Sequence, residues 1–161
     1  MYTSEALRDM HERGHRSLQK LLVHCNRLSV KEMDQEVPGF GYPSVRLQLY
    51  HLIAAEEYWI GVLLGSFDAE DKVAAYPTVQ SLEIYREQVA AVTDEYLRAA
   101  SPEELNTLRP MLTWQNKERL LMPAHVFMRT LTHIYQHQGQ VLAMCRMMGR
   151  PGEGMDFPIT K

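Results

Sequence analysis

Apolar positions recur at spacings of three and four along four separate stretches of this chain, the period of a helix with one buried face. The first stretch, from about Ser4 to Leu28, carries Leu7, Met10, Gly14, Leu18, Leu21, Cys25 and Leu28 in a narrow stripe suited to bundle packing. Glu36 to Pro43 is turn punctuation, rich in glycine and proline. Ser44 can open a second helix that runs to about Leu64, with Val45, Leu49, Leu52, Ile60 and Leu63 toward one side and Gly65-Ser66 closing it. A linker from Phe67 to Pro77 leads to a third helix, about Thr78 to Ala100. Its stripe is Leu82, Tyr85, Val89, Val92 or Thr93, Tyr96 and Ala100. Ser101-Pro102-Glu103-Glu104 combines a serine cap, a proline in the first turn and a glutamate three after the serine, and predicts one short helical turn. Arg109 to Met122 loses the helical period and alternates loosely around Trp114, as a loop or short hairpin does. The fourth helix starts near Pro123 and stops at Gly149, with Pro151 as a breaker, and spans roughly 39 Å. Four amphipathic helices with no convincing central strand predict an all-α fold, a four-helix bundle forming a single domain over residues 1–161.

Composition narrows the function classes. The hydrophobic fraction of 45% suffices for a real core without staples. Seventeen Lys and Arg stand against 20 Asp and Glu with no basic run, so neither nucleic acid nor an anionic membrane is an expected partner. No stretch approaches the ~18 apolar residues of a membrane span, and the first residues lack the pattern of a signal peptide. A cytoplasmic location is the expectation. Cys25 and Cys145, far apart in sequence, read as buried free thiols rather than a disulfide framework.

The chemistry concentrates in histidines. His133 and His137 are four apart on the fourth helix, a rotation of about 40° and a rise of about 6 Å, so the rings share one face. They fall on the inward stripe through Val126, Thr130, Val141 or Gln140, Met144 and Met148. Two buried imidazoles need partners, and a metal ion or a set of carboxylates and waters would each provide them. His51 borders the stripe of the second helix. If those helices pack together, the three rings make an open three-histidine site. His11 and His15 share the spacing of four but flank the leucine stripe among Glu12, Arg13 and Arg16, and read as solvated or partly snorkelled rather than as metal ligands. His24 and Cys25 are neighbours pointing about 100° apart, poor for chelation. His125 lies near the helix start, at most at the mouth of the site.

Two stretches and a tail carry a family resemblance. The first is Ser44-Val45-Arg46-Leu47-Gln48-Leu49-Tyr50-His51-Leu52-Ile53-Ala54-Ala55-Glu56-Glu57-Tyr58-Trp59. The second is Leu131-Thr132-His133-Ile134-Tyr135-Gln136-His137-Gln138-Gly139-Gln140, followed by Met148-Gly149-Arg150-Pro151 and Asp156-Phe157. In order and spacing across nearly the whole chain they resemble the DinB-like (YfiT-like) family of bacterial four-helix proteins, related to thiol-dependent S-transferases. The resemblance implies a bundle, usually a homodimer, with a divalent metal on three histidines that correspond to His51, His133 and His137. It also implies activation of a low-molecular-weight thiol in some relatives and hydrolysis in others. The chain departs from the family at Gln136-His137-Gln138, where a second histidine and an arginine are often found.

Three neutral imidazoles would leave a divalent ion an open position at which water or a thiol deprotonates readily. The set suits zinc, nickel or iron, whereas magnesium and calcium would want clustered carboxylates. Glu56, five residues past His51 and about 140° around the helix, points elsewhere and reads as an orienting group or an ion pair with a neighbouring helix. Trp59 reads as pocket wall or core, and Gln140 as a polar support behind the ligands. Cys145, about 12 Å along the axis from His137, is too far to share an ion. The expected function is metal-dependent transfer of a small thiol to an electrophilic small-molecule substrate, or hydrolysis of one. The alternatives are a non-enzymatic metal-binding stress-response module and a bundle whose histidines are structural.

Overall fold

The structure, a computed structural model, describes residues 1–68 and 70–160. Helix α1 spans Ser4–Cys25 behind a Thr3 cap whose side chain accepts the Ala6 N–H. It ends three residues before the stripe does. Ser29 and Glu32 form a reciprocal capping box that starts a second short helix, α2 (Val30–Asp34), so the chain leaves the α1 axis at Asn26 while Leu28 still packs inward. Helix α3 (Val45–Leu64) is capped by Ser44 and ends on Gly65, at φ 74°. That left-handed stop favours glycine.

After a 3₁₀ turn at Val73–Ala75, α4 covers Val79–Ala99 behind Thr78, and α5 (Pro102–Asn106) follows the Ser101 cap. The ambiguous stretch is a hairpin. Strand β1 (Arg109–Thr113) pairs antiparallel with β2 (Lys117–Leu121), Arg109 opposite Leu121 and Thr113 opposite Lys117. The connection is Trp114–Asn116, with Gln115 and Asn116 at φ 59° and 54°. Helix α6 then runs Pro123–Met147, its proline where a missing N–H does no harm.

Helices α1 and α3 each pack along both α4 and α6, so α1 faces α3 across a diagonal of the bundle. The approach of α1 to α6 is close at Gly14, where a Cβ would stand 2.7 Å from Leu131 Cδ1. On α4 the inward residue is Thr93 and Val92 is exposed, which resolves the alternative left by periodicity.

The core is divided. One apolar cluster gathers Leu18 to Cys25, Val45 to Ile53, Leu82 to Val89 and Ile134 to Cys145. The other gathers Leu7, Ile60 to Leu63, Tyr96 to Ala100 and Ala124 to Phe127. Between them lies a buried polar layer of His11, His15, Glu56, Thr93 and Thr130. Cys25 and Cys145 are free and buried in the first cluster. No described helix is long and apolar enough to cross a membrane.

Candidate metal centre

Helix α3 contributes His51, and α6 contributes His133 and His137, from the two helices that pack most extensively. The three rings converge. Their centroids are 5.0 Å (His51–His133), 4.8 Å (His51–His137) and 4.3 Å (His133–His137) apart. One donor atom from each lies within 4.8 Å of the others, an arrangement that could hold a metal ion.

A hydrogen-bond chain sets the tautomer of His137. Gln48, one turn before His51 and fully buried, donates both amide hydrogens, to the Tyr42 carbonyl and to Gln140 Oε1, each at 2.8 Å. Its Oε1 therefore faces His137 Nδ1, at 2.5 Å. An amide oxygen only accepts, so Nδ1 carries the proton and Nε2 offers its lone pair to the centre. His133 Nε2 stands 3.1 Å from that Nε2. Two nitrogens on one tetrahedral zinc stand roughly 3.3 Å apart. His133 Nδ1 is buried without a hydrogen-bond partner among the described residues, so the ring's polar contact is all toward the centre. Tyr42 stacks on His51, ring centroids 3.9 Å apart and planes 21° from parallel, and so limits its rotation.

Electrostatics keep the rings neutral. Burial, then the neighbouring His137, pushes His51 down to about 4. Burial, then His137, His51 and Arg129, pushes His133 down to about 4, and burial lowers His137. Neutral imidazoles are the protonation state a divalent ion requires. The donor set suits zinc, nickel or iron.

The centre opens on a cavity of about 560 Å³ lined by His51 and His133. Its walls include Tyr42, Tyr58, Trp59, Trp114, Arg119 and Arg129. Arg129, one turn before His133, lies over the Trp59 ring, Cζ 5.3 Å from the centroid. The Tyr58 hydroxyl accepts the Trp114 N–H at 2.7 Å, tying the hairpin tip to α3. Glu57 also lines the cavity, and its Oε2 accepts the Tyr85 hydroxyl at 2.5 Å. Trp59 is thus both pocket wall and packing partner of the second core cluster.

Other sequence expectations change here. His11 and His15 are not solvated: each is 6% exposed, turned across the bundle onto Glu56, which is 3% exposed. His11 Nε2 and Glu56 Oε1 are 2.8 Å apart, His15 Nε2 and Oε2 2.9 Å. Glu56 therefore orients none of the three ligands: its hydrogen bonds go to His11, His15 and Thr93, the first two across the bundle diagonal. Gln140 supports the centre at one remove, through Gln48. That role of Gln48 escaped the sequence reading. The available signal was a polar side chain three residues before His51 on the buried side of α3. His125 is exposed and packs edge-on to Tyr2, away from the centre.

The comparisons with known proteins bear on the whole chain. A conserved protein from Enterococcus faecalis has the same fold at a TM-score of 0.67 and 18% identity, covering 92% of this chain and 99% of that one. A DinB-like protein from Bacillus cereus aligns at a TM-score of 0.74 and 19% identity, covering 96% of this chain and all of that one. No curated protein matches. The DinB family model matches residues 1–161 from end to end. A bundle with these structural neighbours, covered from its first residue to its last by that model, belongs to the DinB family.

Proposed function

We propose that this protein, acting as one domain, is a divalent-metal-dependent enzyme with His51, His133 and His137 as ligands. In this reading it transfers a small thiol to an electrophilic substrate or hydrolyses a small substrate. One observation carries the reading: the three nitrogens converge, and two of the rings, His51 and His133, line a roomy cavity instead of being sealed in the core. A sealed centre would favour a non-enzymatic stress-response module, and 560 Å³ of space beside the rings weighs against it.

His51, His133 and His137 would hold a divalent ion, which would supply Lewis acidity that eases loss of a proton from a thiol or water near neutral pH. Zinc, nickel and iron all suit that role. The chain's own residues do the remaining work. Gln48 holds His137 in the ligating tautomer, and Tyr42 holds the His51 ring. Arg129 places positive charge beside His133, where a developing anion gains from it. Tyr58, Trp59 and Trp114 exclude water and offer aromatic faces to an apolar electrophile. Glu57, fixed by the Tyr85 hydroxyl on a rigid helix, is the proton acceptor we assign.

The family resemblance adds the thiol cosubstrate and a homodimer, the latter measurable by light scattering. The functional test uses tag-free protein loaded with zinc, nickel or iron, cellular thiols and a panel of model electrophiles and esters. We expect turnover that needs both metal and thiol, or metal and water, and that His133→Ala lowers by at least about 100-fold. Equal rates for loaded wild type and His133→Ala across the panel would refute the enzymatic reading.

A further inference from the structure

The polar layer that divides the core plays no part in the cavity above. In it, Glu56 receives three donors. His11 Nε2 stands 2.8 Å from Oε1, His15 Nε2 stands 2.9 Å from Oε2, and the Thr93 hydroxyl donates to Oε1 at 2.8 Å. A carboxylate only accepts, so both histidines present Nε2–H to it. The two rings are four apart on α1, one face of the helix, and Glu56 meets them across the bundle diagonal.

A fully buried carboxylate is costly unless the groups around it compensate its charge, and here two imidazoles and a hydroxyl surround it. Arg86 is beside it but committed elsewhere. Its Nε and Nη2 donate to Glu83 at 2.9 and 2.7 Å, and its Nη1 meets His15 Nδ1 only at 3.4 Å. Two imidazoles and one carboxylate are a donor set that zinc takes. The donor atoms already lie within 4.8 Å of one another. Nitrogen and oxygen on one zinc stand roughly 3.3 Å apart, so the present contacts need to widen by only about 0.4–0.5 Å. An entry path exists: a cavity of about 510 Å³ between α1 and α4 reaches both His11 and His15.

We propose that His11, His15 and Glu56 form a second divalent-metal site, independent of the three-histidine centre, that clamps α1 to α3 inside the bundle. Binding requires each ring to present an Nε2 lone pair to the ion, with its proton on Nδ1. For His15 that converts the atom facing Arg86 from an acceptor into a donor. Arg86 must then withdraw toward Glu83 and Glu87, and it opposes the ion by charge as well. The site is therefore one that Arg86 weakens.

The test starts from tag-free His51→Ala/His133→Ala protein, which lacks the first centre. It is titrated with Zn²⁺ by calorimetry and with Co²⁺ by visible absorption, and circular dichroism checks each variant for folding. We expect about one ion per chain in this variant against about two in wild type. Adding His11→Gln should remove the remaining ion. Adding Arg86→Gln instead should tighten it by about fivefold or more. Fewer than about 0.2 ion per chain with Arg86 either present or replaced overturns the site, and so does an ion that survives His11→Gln. If the His11 variant does not fold, the Arg86→Gln pair decides: unchanged Co²⁺ affinity there counts against the site. None of these outcomes depends on the first centre, whose own failure would show as a wild type that binds no more metal than the double variant.

Discussion

His133 and His137 on α6 repeat the spacing of His11 and His15 on α1, yet the two pairs end in opposite settings. The α6 pair meets a third imidazole, with His51 and His133 at the edge of a cavity and no carboxylate in the cluster among the described residues, so burial, joined at His133 by its neighbours, holds the rings neutral. The α1 pair meets a carboxylate in the core. Against the opposing effect of full burial, the charge interaction with His15, hydrogen bonds from His11 and His15 and the charge interaction with His11 hold Glu56 well below the usual carboxylate range. Helical spacing pairs the rings; the residue supplied by the opposing helix decides whether nitrogen lone pairs or N–H donors point inward. The α6 cluster stands beside open space, and the α1 cluster is enclosed in the core.

The sharpest way to break this contrast is to remove Glu56. Glu56→Ala leaves two imidazole donors and a hydroxyl facing a void, and should lower stability by about 3–5 kcal/mol in urea unfolding. His51→Ala at the half-buried cavity edge should cost the metal-free protein about 1 kcal/mol or less. Similar costs for the two would mean that the core layer is no more structural than the cavity rim.

Metal affinity should invert the ranking. His133→Ala removes a nitrogen that nothing nearby replaces, and zinc affinity at that centre should fall by more than about 100-fold in calorimetry, beyond what loss of a supporting residue produces. A smaller loss would show that His133 is not a ligand. Gln48→Leu should act less, about 10- to 100-fold, because it frees the tautomer of His137 without removing a donor. An unchanged affinity would reduce Gln48 to a packing residue.

The sequence displayed local features and concealed those that depend on distant partners. The helices were legible because their stripes repeat at three and four, and because Ser44, Thr78 and Ser101 sit one residue before each start. Convergence of His51 with the α6 pair was expected from packing of their helices and from the family resemblance. The burial of His11 and His15 was not legible. Glu12, Arg13 and Arg16 make that stretch look wet, and the acceptor that draws the rings inward lies 41 residues beyond His15. Gln48 was hidden for the same reason: two of its three partners, His137 and Gln140, come from α6.

Acid should separate the two clusters by a smaller effect. His51 and His133 titrate near 4 in the folded protein, below the ordinary histidine value of 6.5. Between those values the unfolded chain binds more protons than the folded one, so stability falls as pH drops from about 6.5 to about 4. Glu56 is a depressed carboxylate, so its contribution is complete above the unfolded value of about 4.5 and is lost only as pH falls further. The rings are partly exposed and solvent screens them, so this histidine loss should stay well under the cost of Glu56→Ala. Urea midpoints of metal-free protein at pH 7, 5.5 and 4.5 should decline for wild type and flatten for His51→Ala/His133→Ala. If the two slopes match over that range, the cavity-side histidines are not the groups that titrate there, and the proposed division of labour between the clusters fails on its cavity side.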